Sequence, residues 1–421
     1  MRPERIVHIG LGNFFKAHQA WFTEKARDSE DWGIVAFTGR TAKATEDLRA
    51  TNCTFPVVTR YPDHDEIETI SSVVRAEAGS NWENLATTLA SPQIALVTLT
   101  ITEAGYLKSA STDLTETALG RLALALNARM KANGEPVALV SCDNLPDNAS
   151  VLKNGLAQLG SLLGQDFVDY LDTLSFVSTS VDRITPAVSQ ADSTWIMQQT
   201  GKLEPAAVVT EPFKDWILQG DFPLGRPKWE SAGAKFVEDI RPFENRKLWL
   251  LNGAHTLIAL IGTSLGYRTV SEAFADPAVA TVVEAWWDEA CEFLPEALDL
   301  NDYRESLKSR FSNPRMSDEL SRILQETFTK IQVRFIPVAI ELSRIGRTSS
   351  GATAAVAGLF NLARHSLLSD ARAQEISKAL ATSSDQETFV KLLSPELAAS
   401  HTFLSELGRS IEKQNSLVTN K

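Results

Sequence analysis

The chain has 421 residues, of which 43% are hydrophobic and 22% are charged, and its formal net charge is -12. These values are typical of a globular protein with room for two domains, and they exclude a wholly disordered chain. The excess of acidic residues argues against a nucleic-acid partner, because a phosphate backbone selects for clustered Lys and Arg.

The cysteines and the apolar runs indicate the compartment. Cys53, Cys142 and Cys291 lie far apart, without a CxxC pair, so neither a disulfide framework nor a cysteine-only zinc site is expected. The N-terminus lacks the long apolar core of a signal peptide, and no run approaches the roughly 18 uncharged apolar residues of a membrane span. We therefore expect a cytoplasmic protein with no membrane partner.

Short apolar runs alternate with helix-like segments in the first half of the chain. This alternation predicts the α/β class, with an N-terminal Rossmann-type doubly wound sheet. The predicted strands are residues 5–9, 32–37, 55–61, 67–74, 94–101, 137–141 and 176–181, and residues 208–216 and 236–240 complete the sheet or a small antiparallel extension. The predicted helices are residues 14–27, 82–89 and 115–132. The third and fourth strands flank Pro-Asp-His-Asp, which indicates a hairpin.

The turn after the first strand has the pattern of a dinucleotide site. The strand runs into Gly10-Leu11-Gly12-Asn13-Phe14-Phe15, and a helix follows. Glycine permits the tight turn and lets backbone N–H groups approach a pyrophosphate at the positive end of the helix. Phe15 replaces the third glycine of GxGxxG, so a tight turn without a ligand remains the alternative. We predict that Gly10, Gly12, Asn13 and Phe14 contact the cofactor.

The end of the second strand bears on the choice between NAD and NADP. A carboxylate at this position favours NAD, whereas a basic residue can receive the 2′-phosphate of NADP. The sequence reads Thr38-Gly39-Arg40-Thr41, with no acid before Glu46. Arg40 and Lys43 are either cofactor contacts or solvated surface charges, and the residues leave this choice open.

The second half of the chain is predicted to be mainly helical. Helical periodicity begins near residue 245, and glycines and prolines interrupt the pattern between residues 225 and 245. We therefore place one domain at 1–235 and a second, mainly α-helical domain at 236–421.

One helix of this half carries the candidate chemistry. Residues 248–261 are almost all apolar, so the helix is expected to be buried on most of its circumference, yet it contains Lys247, Asn252 and His255. At about 100° per residue, His255 lies roughly 80° and Asn252 roughly 140° from Lys247, so all three can face one cleft. A buried lysine favours the neutral form that a general base requires. The alternative is a lysine reaching solvent beside two satisfied core residues.

Several ordered motifs carry a family resemblance. The motifs are HIGLGNFFKAHQA (8–20), LTITEAGY (99–106), SCDNLPDN (141–148), FVSTSVDRITP (176–186), VVTEPFKDW (208–216) and RPFENRKLWLLNGAH (241–255). Together they resemble the polyol-specific long-chain dehydrogenases, the mannitol 2-dehydrogenase and fructuronate reductase family, over nearly the whole chain. The most specific is the Lys-x4-Asn-x2-His signature, while Lys16 stands where the family usually has Arg.

The resemblance implies zinc-free hydride transfer between a sugar alcohol and its keto-sugar. It implies NAD as the main cofactor, with NADP possible through Arg40, and a dinucleotide-binding first domain followed by a catalytic second domain. The implied roles are general acid/base for Lys247, an oxyanion hole for Asn144 and Asn252, orientation of the substrate oxygen for His255, substrate binding for Asp182, Arg322 and Lys330, proton relay for Glu244, and cofactor binding for Thr100 and Glu103.

One departure concerns the substrate end of the chain. Glu326-Thr327-Phe328 stands where the family has Asp-Gly-Ser, which puts the identity of the polyol in doubt. A hexuronate (fructuronate or tagaturonate) reductase of the same family is therefore an alternative. Arg322 and Lys330, taken without the family, would be a solvated helix face.

Three further classes are weighed against this interpretation. A zinc alcohol dehydrogenase needs ligand spacing that the histidines and cysteines lack. A non-catalytic, dinucleotide-sensing protein would not need the set of Lys247 and its neighbours. A 6-phosphogluconate-type dehydrogenase would need a basic cluster for its phosphate. We expect a small-molecule substrate, no metal, and a monomer or weak homo-oligomer.

Overall fold

The computed structural model describes residues 2–39, 42–106, 112–132, 134–316, 318–365, 369–382 and 386–419. The chain divides into two compact units, Met1–Ile240 and Arg241–Lys421. The first is an α/β unit and the second is helical, which confirms the predicted fold class.

The strands of the first unit form two sheets within the described residues. They are β1 (Glu4–Ile9), β2 (Gly33–Phe37), β3 (Phe55–Arg60), β4 (Asp65–Ile70), β5 (Val73–Glu77), β6 (Leu96–Leu99), β7 (Ala138–Ser141), β8 (Ser175–Asp182), β9 (Val208–Thr210), β10 (Asp215–Gln219) and β11 (Lys235–Phe236). The large sheet has the order β11-β10-β8-β7-β6-β1-β2-β5, and the small one has the order β4-β3-β9. The strands from β8 to β5 run parallel, and β10 is antiparallel to β8.

Helical segments cover both faces of the large sheet, and the last of them packs against the small sheet. They are α1 (Asn13–Phe15), a π-helical segment π1 (Lys16–Ala20), α2 (Trp21–Lys25), α3 (Lys43–Ala50), α4 (Trp82–Leu89), α5 (Ala118–Lys131), α6 (Asn148–Gly160), α7 (Gln165–Leu171) and α8 (Gln190–Thr200). Alternate residues of β2 point into different cores: Ile34 packs in the cluster of Phe15 and Phe22, whereas Val35 packs in the cluster of Leu122. A strand buried on both faces explains why the sequence shows continuous apolar runs.

Two predicted strands are wrong as single elements. The run 67–74 is split into β4, which pairs with β3, and β5, which pairs with β2. At the break, Ser71 N–H donates to Glu24 Oε2 at 2.9 Å and Ser72 Oγ donates to the Ala20 carbonyl at 2.8 Å. These two bonds tie the connection to the first helical run, so the chain changes sheets there.

The run 208–216 is divided in the same way. Its first part, β9, joins the small sheet beside β3, and its end belongs to β10 of the large sheet. Between them the Glu211 N–H donates to the Ile184 carbonyl at 3.3 Å, and the Glu211 carboxylate accepts the Ile184 N–H at 2.6 Å. The backbone at this point therefore bonds to a residue outside both sheets.

The second unit is built from helices within its described residues. They are α9 (Arg241–Arg246), a π-helical segment π2 (Lys247–Gly253), α10 (Ala254–Ser264), α11 (Val270–Phe274), α12 (Pro277–Cys291), α13 (Leu300–Phe311), α14 (Leu320–Ile323), α15 (Thr327–Arg334), α16 (Ile336–Arg344), α17 (Ser350–Arg364), α18 (Ala373–Thr382), α19 (Gln386–Leu393), α20 (Pro395–Ala398) and α21 (His401–Thr419). Helix α10 packs against α11, α12, α14 and α17 and is therefore the centre of this unit. No helix among the described residues is long and apolar enough to cross a membrane.

Asn148, at the start of α6, is a buried connection between strands β7 and β8. Its Nδ2 donates to the Asp143 and Thr179 carbonyls at 3.0 and 2.8 Å, and its Oδ1 accepts the Thr179 N–H at 3.0 Å. Because the Asn148 side chain is fully buried, no water molecule can replace its hydrogen bonds to these backbone groups.

We therefore expect Asn148→Ala to lower the free energy of unfolding by about 1 to 3 kcal/mol, the usual cost of leaving buried polar groups unsatisfied. Asn154→Ala is the matched control, because Asn154 is exposed on the same helix. Denaturant unfolding of both variants measures the difference. Equal stabilities would contradict the assignment.

Candidate functional site

The carboxyl edge of the large sheet collects the predicted residues of the first unit. Strands β1, β6, β7 and β8 are parallel neighbours. Gly10 follows β1, Thr100 follows β6, Asn144 follows β7, and Asp182 is the last residue of β8. The sheet order reverses between β1 and β6, and ligands of such sheets bind at this point, outside the carboxyl ends of the strands.

The two glycines of the turn have different reasons to be glycine. Gly10 has a φ of +111°, and a Cβ atom there would lie 2.2 Å from the Thr100 carbonyl oxygen. The fold itself therefore excludes a side chain at Gly10. At Gly12 the nearest atom to an added Cβ is the Gly10 oxygen, at an ordinary 3.6 Å. The protein leaves open space above the Gly12 backbone, as a site for a closely approaching ligand requires.

A buried histidine on β1 contacts the residues around this turn. His8 Nδ1 lies 2.8 Å from Thr98 Oγ1, and its Nε2 lies 3.1 Å from Thr100 Oγ1. Its ring stacks on Phe15 at 3.6 Å, which explains the residue at the third glycine position. Burial lowers the pKa of His8 to about 3, so the imidazole is neutral. Asn13 and Phe14 are the first two residues of α1 and directly precede Phe15.

Asp143 fixes the loop after β6, and the sequence analysis did not identify it. Its carboxylate accepts the N–H groups of Ile101 and Thr102 at 3.1 and 2.7 Å and the Tyr106 hydroxyl at 2.6 Å. Thr102 has a φ of +65°, a conformation that these bonds hold in place. Burial raises the pKa of the Asp143 carboxyl. An acid directly before Asn144 was the available signal.

Of the remaining candidate cofactor residues, the structure describes Glu103 and Lys43 but not Arg40. Glu103 is exposed in a single 3-10 turn, Glu103–Gly105. Lys43 is an exposed lysine paired with Asp47 on the same helix. Arg40 lies outside the described residues, and its proposed contact with NADP is a prediction from the sequence.

The helix that carries Lys247 is not the regular α-helix that the sequence predicts. Residues 247–253 form π2, in which N–H groups bond to carbonyls five residues earlier. The angle of about 140° between Lys247 and Asn252 is therefore wrong, because it applies to a 3.6-residue turn. In the π register Asn252 lies one turn after Lys247, and the two share a face.

The predicted polar residues lie on the more accessible side of this helix. Lys247, Asn252 and His255 are half-buried, whereas Leu250, Leu251 and residues 256–262 are buried. Lys247 is thus less enclosed than expected from the apolar run. Glu244 is also half-buried, on α9 before the π segment.

The Asp318 carboxylate lies between His255 and a predicted substrate residue. His255 Nε2 lies 3.9 Å from one oxygen of Asp318, and Arg322 donates to the other oxygen at 2.6 Å. The His255 ring also packs against Phe311, with centroids 4.8 Å apart. Asp318 is buried and was missed by the sequence analysis, because nothing in its spacing from residue 255 marks it.

Arg322 and Lys330 are brought together, but not on one solvated helix face. Arg322 lies on α14 and Lys330 on α15, and Glu326 between them has a φ of +53°. Lys330 Nζ donates to the Ile323 carbonyl at 2.9 Å. Burial, with the nearby guanidinium groups of Arg334 and Arg322, lowers the pKa of Lys330 to about 8.

The departure at residues 326–328 lies mainly in the core. Thr327 and Phe328 are fully buried, and the Phe328 N–H donates to Asp370 Oδ2 at 2.8 Å. Glu326 is exposed and accepts the Ala371 N–H. These three residues therefore shape the connection between α14 and α15.

The structure also bears on metal binding. No group of three or more His, Cys, Asp or Glu side chains suited to a metal ion occurs within the described part of the chain. All three cysteines are free thiols.

Comparisons with known proteins agree over both units. Residues 4–231 match the family model described as the mannitol dehydrogenase Rossmann domain, and residues 239–409 match that of the mannitol dehydrogenase C-terminal domain. The chain is 32% identical to the D-mannonate oxidoreductase of Escherichia coli (strain K12), over 81% of this chain and 76% of that protein. It is 31% identical to a mannitol 2-dehydrogenase of Cereibacter sphaeroides, over 76% of this chain and 72% of that protein.

A solved structure shows the same similarity. The mannitol 2-dehydrogenase of Pseudomonas fluorescens, a ternary complex with NAD and D-mannitol, matches with a TM-score of 0.82 and 29% identity. The match covers 100% of this chain and 94% of the other.

The different environments of the two glycines give a test of the turn. We expect Gly12→Val to remain folded and to lose binding of the dinucleotide, because its side chain enters open space beside the backbone. Gly10→Val is expected to lower the unfolding temperature instead, because of its backbone conformation and the contact with Thr100. Fluorescence titration with NADH and thermal unfolding measure both effects. A folded Gly12→Val variant with unchanged NADH affinity would rule out the turn as the cofactor site.

Proposed function

The chain belongs to the mannitol dehydrogenase family, and we propose that it is an NAD-dependent polyol dehydrogenase that acts without a metal ion. It interconverts a sugar alcohol of the mannitol or arabinitol type and the matching keto-sugar. The observation that carries this proposal is the shared face of Lys247 and Asn252 on a helix whose other residues are mostly buried.

The first unit has the features that an NAD site requires. The glycine turn after β1, the open space at Gly12 and the Thr100 loop after β6 lie together at the switch point of the sheet. Bound at this turn, NAD would supply the acceptor for the hydride of the carbinol carbon. We assign Asn13 and Phe14 to cofactor contacts, together with Glu103, and Arg40 to secondary use of NADP.

Lys247 is the proposed general base. In the direction of polyol oxidation, the hydroxyl proton must leave as the carbon–hydrogen bond breaks, and a neutral lysine can accept it. Glu244, one helical turn earlier, is the proposed relay that passes this proton to water. In the direction of keto-sugar reduction the same lysine returns the proton to oxygen.

Neutral and oriented groups complete the proposed catalytic machinery. Asn252 donates to the oxygen as negative charge develops on it, which stabilises the charge without adding a full positive charge nearby. We assign Asn144 of the first unit to the same role and Asp182 to substrate binding. His255, oriented by Asp318, hydrogen-bonds the substrate oxygen, and Arg322 and Lys330 bind outer hydroxyls.

The test is removal of the base. We expect Lys247→Ala to lower kcat for polyol oxidation by about 10² to 10⁴-fold, the usual contribution of general base catalysis. The pH profile near neutrality should flatten, and added primary amines should restore part of the activity. Lys391→Ala, a substitution of an exposed lysine on α19, is the control. A Lys247→Ala enzyme within tenfold of the original kcat, with its pH profile intact, would place the base elsewhere.

A second candidate is a hexuronate reductase, in which the substrate carries a carboxylate. The observation in its favour is the neighbouring cations Arg322 and Lys330, since the Arg322 guanidinium acts on the Lys330 ammonium. The similar Escherichia coli protein is a D-mannonate oxidoreductase. A carboxylate gains more from such a group than a neutral polyol does.

The pH dependence of KM separates the two candidates. With a pKa of about 8, Lys330 is cationic below this pH and becomes neutral as the pH rises through it. For a uronate substrate we expect KM to rise above pH 8 by at most tenfold per unit, and Lys330→Met to abolish this rise. For mannitol or arabinitol we expect KM to be nearly independent of pH. Turnover of mannitol, arabinitol, sorbitol, fructuronate and tagaturonate at pH 7 and 9 supplies the measurement.

A further inference from the structure

The π segment of residues 247–253 ends at a junction with regular α-helix. Where i→i+5 bonding returns to i→i+4 bonding, one carbonyl has no N–H group of the helix left to bond. At this junction the Ala254 N–H donates to the Leu251 carbonyl. Buried carbonyls in such a place need donors from outside the helix.

Three side chains, two of them fully buried, supply donors to this junction. Trp286 Nε1 donates to the Trp249 carbonyl and Trp287 Nε1 donates to the Leu250 carbonyl, both at 2.8 Å. Arg334 Nη1 donates to the Asn252 carbonyl at 2.9 Å. Neither tryptophan ring is accessible to solvent. Side chains from α12 and α15 thus reach three of the four carbonyls between positions 249 and 252.

Arg334 also fixes the beginning of α10. The same Nη1 donates to Thr256 Oγ1 at 2.8 Å, and that hydroxyl donates to the Asn252 carbonyl at 3.0 Å. The carbonyl of Asn252 therefore accepts two hydrogen bonds from side chains, one of them from a charged guanidinium. Burial lowers the pKa of Arg334 to about 10, which leaves the guanidinium cationic near neutral pH.

The glycines around Trp286 point to the same arrangement. A Cβ atom at Gly253 would lie 2.6 Å from Trp286 Nε1, and one at Gly351 would lie 2.7 Å from Trp286 Cβ. Trp286 is thus enclosed between two backbones, and its indole can reach the Trp249 carbonyl only because position 253 has no side chain.

We propose that Trp286, Trp287 and Arg334 are positioning residues that select the π register and thereby place Lys247 and Asn252 on one face. The catalytic part of this proposal rests on the proposed function. The pairing of Lys247 with Asn252 depends on the i→i+5 register, since a regular α-helix would turn Asn252 roughly 140° away from Lys247. A change in the donors therefore changes catalysis without touching a catalytic side chain.

Arg334→Met and Trp287→Phe test the proposal, because each removes hydrogen-bond donors and keeps most of the apolar bulk. We expect kcat to fall on the order of 10²-fold, as for a misplaced catalytic group, with the pH profile shifted and NADH affinity unchanged. Arg334→Lys, which keeps one cationic donor, should recover part of the activity. When Lys247 is already replaced by Ala, the further substitution Arg334→Met should lower kcat by less than about threefold, because the lysine that Arg334 positions is absent.

The controls are a surface arginine and a buried tryptophan elsewhere. Arg344→Met removes an arginine paired with Glu341 at the surface of α16. Trp229→Phe removes an indole that donates to Thr23 Oγ1 in the first unit. Both should keep their kcat and pH profile. If Arg334→Met and Trp287→Phe also keep them, or lose activity equally with and without Lys247, the positioning role is overturned.

A crystal structure of Arg334→Met separates this proposal from the proposed function. We expect residues 247–253 to relax toward i→i+4 bonding, and an unchanged π segment would overturn the proposal whatever the substrate is. If the original protein oxidises no polyol and reduces no keto-sugar, the proposed function fails, while the backbone of this variant still decides whether the donors select the register.

Discussion

Both units depend on hydrogen bonds that distant side chains donate to the backbone carbonyls of the π-helical segments. In π1, Arg183 donates to the Ala17 carbonyl, and Ser72 Oγ donates to the Ala20 carbonyl at 2.8 Å. In π2 the donors are two tryptophans and Arg334. Each π segment lies directly beside predicted functional residues, so the polar backbone of the site is paired with side chains distant in the sequence.

Two of these donors, Trp286 and Trp287, lie on a helix that a buried carboxylate holds in place. Glu289 accepts the Ser350 N–H at 2.7 Å and the Gly351 N–H at 3.2 Å, at the first turn of α17. This bond fixes α17 against α12 one turn after Trp286, and Gly351 permits the close approach. The position of the π segment therefore depends on a contact between two other helices, and a carboxylate at a helix N-terminus is favourable there.

The sequence predicts the alternation of the large sheet because burial on both faces produces apolar runs with recognisable ends. It does not predict the splits after Ile70 and Thr210, since these depend on Glu24 and Glu211 bonding to backbone groups. In the site, the residue types at positions 247, 252 and 255 mark a polar face on an apolar helix. Their angular relation could not be obtained, because the π register depends on hydrogen-bond partners 37 to 82 positions away, and no local pattern records them.

The same geometry separates the stability of the second unit from its activity. A buried carbonyl that loses its donor costs about 1 to 3 kcal/mol if the backbone stays in place. The helix can reduce this cost by returning to i→i+4 bonding, in which fewer carbonyls compete for a donor. That rearrangement moves Asn252 away from the face of Lys247. The rearrangement that lowers the cost to the fold would therefore be the one that separates the two side chains of the proposed site.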